Sequence, residues 1–500
     1  MKNYQSTVLL LICAAALLTS CKKWLDVDSD TNVVQEILFD KHDGFYTAVN
    51  GVYLLLGQPE LYARELTWGA ASALGNNYDI STASKVPKKY VNLATKDYST
   101  SDNIATTDPI WEKGYNVIAN CNNILSHLEQ KDSSFFPLGQ LEKDLIQGEM
   151  LGVRAMMHFD LLRLYAPAPK ADDGKLYIPY VSSYPQKATQ HLTVQATLDN
   201  IIRDLEQAKT LLAKNDTLDN TNNNVMKSLR YRFITIIDNL PGGLFFSYRG
   251  YRMNYVAASA LLARIYLWRD NTGDKAKAYD CANSVYHLAT DEGWFTFTSS
   301  YNLQTSDPNN IYRKMFDDVL LSAYNNTLPD IYTATKSFNE AFTLSNTTTL
   351  FGSDLDDFRL LYLMDGTTSK ISRRWEPIVT TATLSQEVAA QTKMAPIIRL
   401  SEMYYTLCEC LAETDLPKAI QLLSTLRTAR GAKAPLTVSS KAEFLELLYN
   451  DMTREFMTEG QTFFLYKRLN RPIFNGAVPL DMTGRYVLPL PHSEDAYINL

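Results

Sequence analysis

The sequence predicts an all-α-dominated fold: a tetratricopeptide-like, right-handed helical scaffold of about four helix hairpins, with large irregular loop insertions and little β structure. Three observations lead there. Apolar residues recur at the spacing of one helix face over long stretches. Two helix-turn-helix units of about 34 residues, each with small residues set between large ones, restate one plan far apart in the chain. Elsewhere, stretches at about 60–108 and 291–392 hold no sustained period; the first is rich in Gly, Asn, Ser and Thr, and both carry large aromatics.

From Asp43 to Leu56 the apolar stripe runs through Phe45, Val49, Val52 and Tyr53, and Gly57 ends it. Trp111 to Leu128 repeats the pattern through Tyr115, Ile118 and Ile124. Glu142 to Tyr165 is a long helix stopped by Pro167, and Leu198 to Leu212 is another. Asn254 to Trp268 alternates Ala257, Ala258, Ala260 and Ala263 with Leu261, Leu262, Ile265 and Tyr266. Small residues let a partner helix approach closely. The chain turns at Asn271 to Asp274 and returns as Lys275 to Leu288. Ile397 to Glu413, a turn at Thr414-Asp415, and Pro417 to Arg430 closed by Gly431 restate that hairpin. The expected pairs are therefore the helices at 43 and 111, 142 and 198, 252 and 275, and 396 and 416, with Lys441 to Arg468 as a final capping helix.

The chain begins with Lys2, an apolar run from Val8 to Leu18 too short for a bilayer, and Leu18-Thr19-Ser20-Cys21. That is the layout of a lipoprotein signal: residues 1–20 are removed, Cys21 is lipidated and anchors the chain to membrane lipid, 21–40 form a polar tether, and 41–500 form the body. Net charge is −7, with no basic stripe, so nucleic acid is not an expected partner. Six cysteines in 500 residues are too few for a disulfide-held scaffold. Cys408 and Cys410 lie two apart on a helix, so they face apart and share no metal.

No His-Glu-x-x-His, Gly-x-Ser-x-Gly or phosphate-binding glycine loop is present, and the histidines at 42, 127, 158, 191, 287 and 492 are scattered. No metal or cofactor and no catalytic residue is expected. A binding site needs less chemistry. Thirty Tyr, twenty Phe and six Trp make 11% of the chain, and aromatic faces beside amides suit polar ligands with apolar faces. Loops carry specificity, so the candidate ligand-binding residues are Trp68, Asn76, Asn77, Tyr78 and Tyr90 in the first irregular stretch. In the second they are Trp294, Tyr301, Tyr312, Tyr324 and Trp375.

Several blocks, in order and almost end to end, resemble the SusD/RagB family of nutrient-binding lipoproteins. Cys21 with Trp24-Leu25-Asp26 resembles the start of the mature family chain, and Ala48 to Tyr53 and Tyr115 to Asn120 resemble its first helices. Glu149 to Tyr165 is the strongest block, followed by Ala260 to Leu267, Pro396 to Tyr404, Leu426 to Gly431, Arg454 to Lys467-Arg468, and Leu488 to Pro491. The last helix departs from the family pattern: Thr462 and Leu465 stand where an Arg and an Asp are usual, so both members of an ion pair are absent together. The resemblance implies a non-catalytic protein on the outer membrane, facing the cell exterior. It implies capture of an oligosaccharide, or in some members a peptide, for a partner TonB-dependent transporter. A surface glycan hydrolase is the alternative of another class.

Overall fold

Side-chain caps set where the scaffold helices begin. Thr100, Thr193, Asn254, Asp415 and Ser440 each accept a hydrogen bond from the backbone N–H three residues on, satisfying donors that a helix start leaves free. In this computed structural model the described residues are 36–81, 85–185, 187–217, 230–231, 243–336, 339–366, 370–378, 383–433, 435–474 and 479–494. Cys21 and the expected signal segment lie outside them. The chain divides into two units, residues 1–47 and 48–500. In the first, the rings of Phe39 and Phe45 stand 4.8 Å apart.

The longer helices are α1 (His42–Leu56), α2 (Ser101–Glu129), α3 (Gln140–Tyr165), α4 (Val194–Asp216), α5 (Tyr255–Arg269), α6 (Asp274–Thr290), α7 (Leu400–Leu411), α8 (Leu416–Ala429), α9 (Lys441–Glu455) and α10 (Gln461–Leu469). From α2 to α8 each helix packs on the next, so the neighbours form one continuous succession. The core helix is α3, buried almost all round. It carries Glu149, whose carboxylate lies between Arg249 and Arg252, the latter at 2.8 Å, while Arg249 also meets Asp216 of α4 at 2.9 Å. His158 of the same helix is fully buried, its Nδ1 2.9 Å from the Arg154 carbonyl and its Nε2 accepting the Val181 N–H at 3.0 Å.

Strands are short and pair in twos, all antiparallel: β1 (Leu176–Pro179) with β2 (His191–Thr193), β3 (Val319–Tyr324) with β6 (Met394–Arg399), β4 (Met364–Asp365) with β5 (Ile371–Ser372), and β7 (Ile473–Phe474) with β8 (Pro479–Leu480). The helix expected from Ile397 thus starts later, at Leu400. Met394 to Arg399 is wholly buried, and a short apolar run of that kind reads the same as strand or helix until a partner strand is known. The single helix expected over 441–468 is two. Gly460 stands between them at φ +77, where a Cβ would lie 2.3 Å from the Leu66 carbonyl oxygen, so the backbone turns left-handed against the first insertion. Among the described residues no helix is long and apolar enough to cross a membrane. Cys121, Cys281 and Cys408 are buried free thiols, and Cys410 is half-buried.

The irregular stretches have an interior of their own, and its polar centre is Glu455. Arg359 reaches it at 3.0 Å and Arg430 at 2.7 Å, and Arg399 is also paired with it. Asp318, Asp357, Asp451 and Glu459 share those guanidiniums. Burial alone raises a carboxylate, but Arg430, Arg399 and Arg359 outweigh it and hold Glu455 well below the usual range. The network joins the insertion to α9 through residues scattered over more than 130 positions of chain, a range given by Asp318 and Glu455.

Candidate functional site

A five-residue helix, Ala70–Leu74, closes on Gly75. A Cβ at Gly75 would sit 2.9 Å from the Phe463 nitrogen, so only glycine lets this loop lie against the start of α10. Asn76 then takes a left-handed conformation, φ +51, which asparagine tolerates better than most residues. Its backbone oxygen accepts from Ser345 Oγ at 2.5 Å, and the Asn77 oxygen accepts the Ser345 N–H at 2.9 Å. Asn77 is fixed further: its Nδ2 donates to Thr462 Oγ1 and its Oδ1 accepts the Thr458 N–H, both at 3.1 Å.

These contacts shape a cavity of about 210 Å³ walled by four amides, Asn76, Asn77, Asn346 and Asn450, and by Ser345, Thr349, Thr453, Thr462 and Tyr466, with Leu350, Met457 and Ile473 as its apolar part. Thr349 and Asn450 are exposed, whereas Asn76 and Asn77 are buried. Lys96, itself buried, donates from Nζ to Asn76 Oδ1 at 2.6 Å. That bond fixes which end of the amide is oxygen. Asn76 Nδ2 is then a buried N–H donor without a hydrogen-bond partner among the described residues, an unusual state for a buried polar atom. Burial, then the charge of Arg485, pull Lys96 well below the ordinary lysine value.

The aromatic candidates are distributed otherwise. Trp68, Tyr78, Tyr90 and Trp375 do come together, across both insertions, but as core. Trp68 is 0% exposed; its ring lies 5.0 Å from Tyr332, 5.4 Å from Phe342 and 6.2 Å from Trp375, and Phe342 also meets Tyr78 and Tyr90. Their polar ends are satisfied inside, Trp68 Nε1 by the Ala63 carbonyl at 2.8 Å and Trp375 Nε1 by that of Thr458 at 2.9 Å. Rings so enclosed have no free face for a ligand in this conformation. Trp294 is buried as well. Tyr301 is 61% exposed, and Tyr312 and Tyr324 are half-buried against Phe316 and Tyr251 respectively. Of the ten, only Asn76 and Asn77 line the amide cavity.

Sequence reasoning missed the rest of that cavity. Asn346, Asn450, Thr453 and Tyr466 come from a short loop and from α9 and α10, where nothing in the local pattern marks them. Thr462 did carry a signal, as a departure from the family pattern, and it is the residue that anchors Asn77.

Comparison with known proteins accords with the fold. A family described as starch-binding and associating with the outer membrane matches residues 23–228, and the SusD family matches residues 365–483. No curated protein matches. Among solved structures, a SusD superfamily protein from Bacteroides thetaiotaomicron is 21% identical, with 91% of this chain and 97% of that chain covered at a TM-score of 0.65. A SusD-like carbohydrate binding protein from Bacteroides vulgatus is 16% identical, with 92% and 97% covered, also at 0.65. A SusD homolog from B. thetaiotaomicron is 18% identical, with 92% and 96% covered, at 0.60. At such identities the structures speak for the fold. The second match takes in Arg399, Arg430 and Glu455 of the buried arginine cluster, and with the two matches the chain belongs to the SusD/RagB family.

Proposed function

We propose that this protein captures an oligosaccharide at the outer-membrane surface, where a lipidated Cys21 holds it, and passes the ligand to a TonB-dependent transporter. The observation that carries the binding step is the amide-lined cavity with its unpartnered Asn76 donor. Sugar hydroxyls need paired donors and acceptors, which amides and hydroxyl side chains supply, and Tyr466 with the apolar wall offers contact to a ring face. The family description and the carbohydrate-binding relative support the ligand class. The transporter and the anchor rest on the family resemblance and on the Leu18-Thr19-Ser20-Cys21 sequence.

Asn76→Asp tests the reading. It keeps the side-chain shape and the Lys96 contact but replaces the N–H donor by an acceptor. Glycans selected on an array by the parent protein should bind the variant about tenfold more weakly or worse in calorimetry, roughly 1.4 kcal/mol. Equal affinity would move the site elsewhere. Hydrolysis of the glycan by the purified protein, or selection of peptides in its place, would overturn the reading itself.

A further inference from the structure

The second insertion contains a smaller cavity, about 20 Å³, lined among others by Arg313, Lys314, Arg374, Trp375, Glu376 and Gln391. A space of that size admits one small group. Its walls are rich in positive charge. Lys314 is occupied: its Nζ donates to the Met394 carbonyl at 2.8 Å and lies 3.9 Å from the centre of the Trp375 ring. Arg374 is occupied too, paired with Glu459.

Arg313 in that wall differs, as does Arg373, which is outside the cavity lining and directly precedes Arg374 in the chain. Neither forms an ion pair with any described residue, in contrast to Arg359, Arg399 and Arg430, each of which meets two or more carboxylates. The Nε atoms of Arg313 and Arg373 are both shut off from solvent and both without a hydrogen-bond partner. The nearest approach of Arg313 to an acceptor is a long one, 3.4 Å from Nη1 to the Glu376 carbonyl. Burial, then the charge of Arg373, hold Arg313 below the ordinary guanidinium value, against the weaker opposing pull of Glu376 and Asp365. Two half-buried guanidiniums that repel each other and leave N–H donors unmade are stabilised by one thing above all: an oxyanion whose oxygens match their donor forks.

The position relates this pair to the amide cavity. Ile371 forms an isolated antiparallel bridge with Thr343; Arg373 lies two residues to one side of that bridge, and Ser345 of the amide cavity two residues to the other. At about 3.3 Å per residue the two are roughly 13 Å apart along the chain direction, a span that an oligosaccharide covers and a monosaccharide does not.

We propose that Arg313 and Arg373 receive an anionic substituent, a uronate carboxylate or a sulfate ester, on the oligosaccharide whose neutral part occupies the amide cavity. This rests on the capture reading and narrows it to acidic glycans. The test uses the full-length protein in detergent and calorimetry with paired probes: partly methyl-esterified oligogalacturonate against its fully esterified form, and a sulfated galactan oligosaccharide against its desulfated form. The first pair reads a carboxylate, the second a sulfate ester. At least one acidic probe should bind tenfold or more tightly than its counterpart, and Arg313→Gln and Arg373→Gln should each remove most of that difference. Arg313→Lys, which keeps the charge without the fork, should retain only part of it. Thermal midpoints of the Gln variants should not fall, since each loses an unpaired charge. Equal binding of acid and counterpart by the parent, undiminished discrimination in both Gln variants, or binding of an acidic peptide through the same arginines would overturn the proposal. If neutral probes bind and Asn76→Asp abolishes it while acidity makes no difference, capture stands and the anion site falls. If no glycan of either kind binds, capture falls with it.

Discussion

The helical scaffold and the irregular insertions each enclose a buried interior, and the two are held by opposite means. In the scaffold, α5 presents alanines and leucines that are almost all inaccessible, so backbones approach closely and small side chains fill the seam. In the insertions the interior consists of large rings, Trp68, Tyr78, Tyr90, Tyr332, Phe342 and Trp375, and where the second insertion meets β6, α8 and α9 arginines are clamped between carboxylates around Glu455. Regular helices satisfy their own backbone and need only an apolar face. A segment with few regular elements has no such periodic face, and here side-chain indoles, phenols and guanidiniums bind the loop carbonyls and one another. Aromatic richness in a loop is therefore, in this protein, a mark of core.

The largest expected effect tests that statement directly. Trp68→Ala should lower stability by about 3 to 5 kcal/mol in chemical denaturation, because it opens a cavity beside the rings of Tyr332, Phe342 and Trp375 and strands the Ala63 carbonyl. A surface platform would behave in the reverse manner, with ligand affinity lost and the denaturation midpoint unmoved. That result would dissolve the contrast between the two regions.

Much of this was legible in advance, and the limit is physical. Helices α3, α5, α6 and α8 follow from apolar spacing, caps and the Gly431 stop, all of which are local. Ile397 to Arg399, expected as the start of a helix, are strand instead, because the buried run they close carries no alternation and its partner β3 lies some 70 residues upstream. The aromatic residues of both insertions are conspicuous in the sequence, but exposure depends on long-range packing, which periodicity does not encode. Asn76 and Asn77 were legible as candidates because they are amides beside large aromatics in an irregular stretch. The partners that make a cavity there, Ser345, Thr462 and Tyr466, arrive from hundreds of residues away.

The scaffold should fail in the opposite sense, through excess volume. Ala263 is fully buried within α5, which packs on both α4 and α6. Ala263→Trp should cost about 1 to 3 kcal/mol or more by overpacking. Thermal unfolding of the variant checks it, and a midpoint equal to that of the parent would mean that the helix seam has slack it does not show. Oligosaccharide affinity in the folded variant should stay close to the parent's, since no residue of α5 lines the amide cavity.

The smallest effect concerns pH and sharpens the contrast in charge. The cations clustered around Glu455 are arginines, which keep their protons at any accessible pH. The scaffold instead buries His158, and burial lowers its pKa to about 3. In the unfolded chain the same imidazole titrates near 6.5. Above that value both states are neutral and His158 adds no pH dependence. Between about 6.5 and 3 the unfolded chain holds a proton that the folded chain refuses, so stability present above 6.5 is lost as pH falls, at roughly 1.4 kcal/mol per pH unit once well inside the window. Glu149, Asp451 and Glu455, which their arginines hold low against the opposing pull of burial, act in the same direction. Their contribution begins only below the ordinary carboxylate range, near pH 4.5 and under. In the interval from pH 6.5 to 5 those carboxylates add nothing, and what the His158 variant removes from the slope is the histidine's share. His158→Gln, compared with the parent by urea midpoint at each pH, should flatten the slope in that interval whatever it does to stability at neutral pH. An undiminished slope in the variant would mean that the imidazole is reached by protons in the folded state, and that α3 is not closed around it.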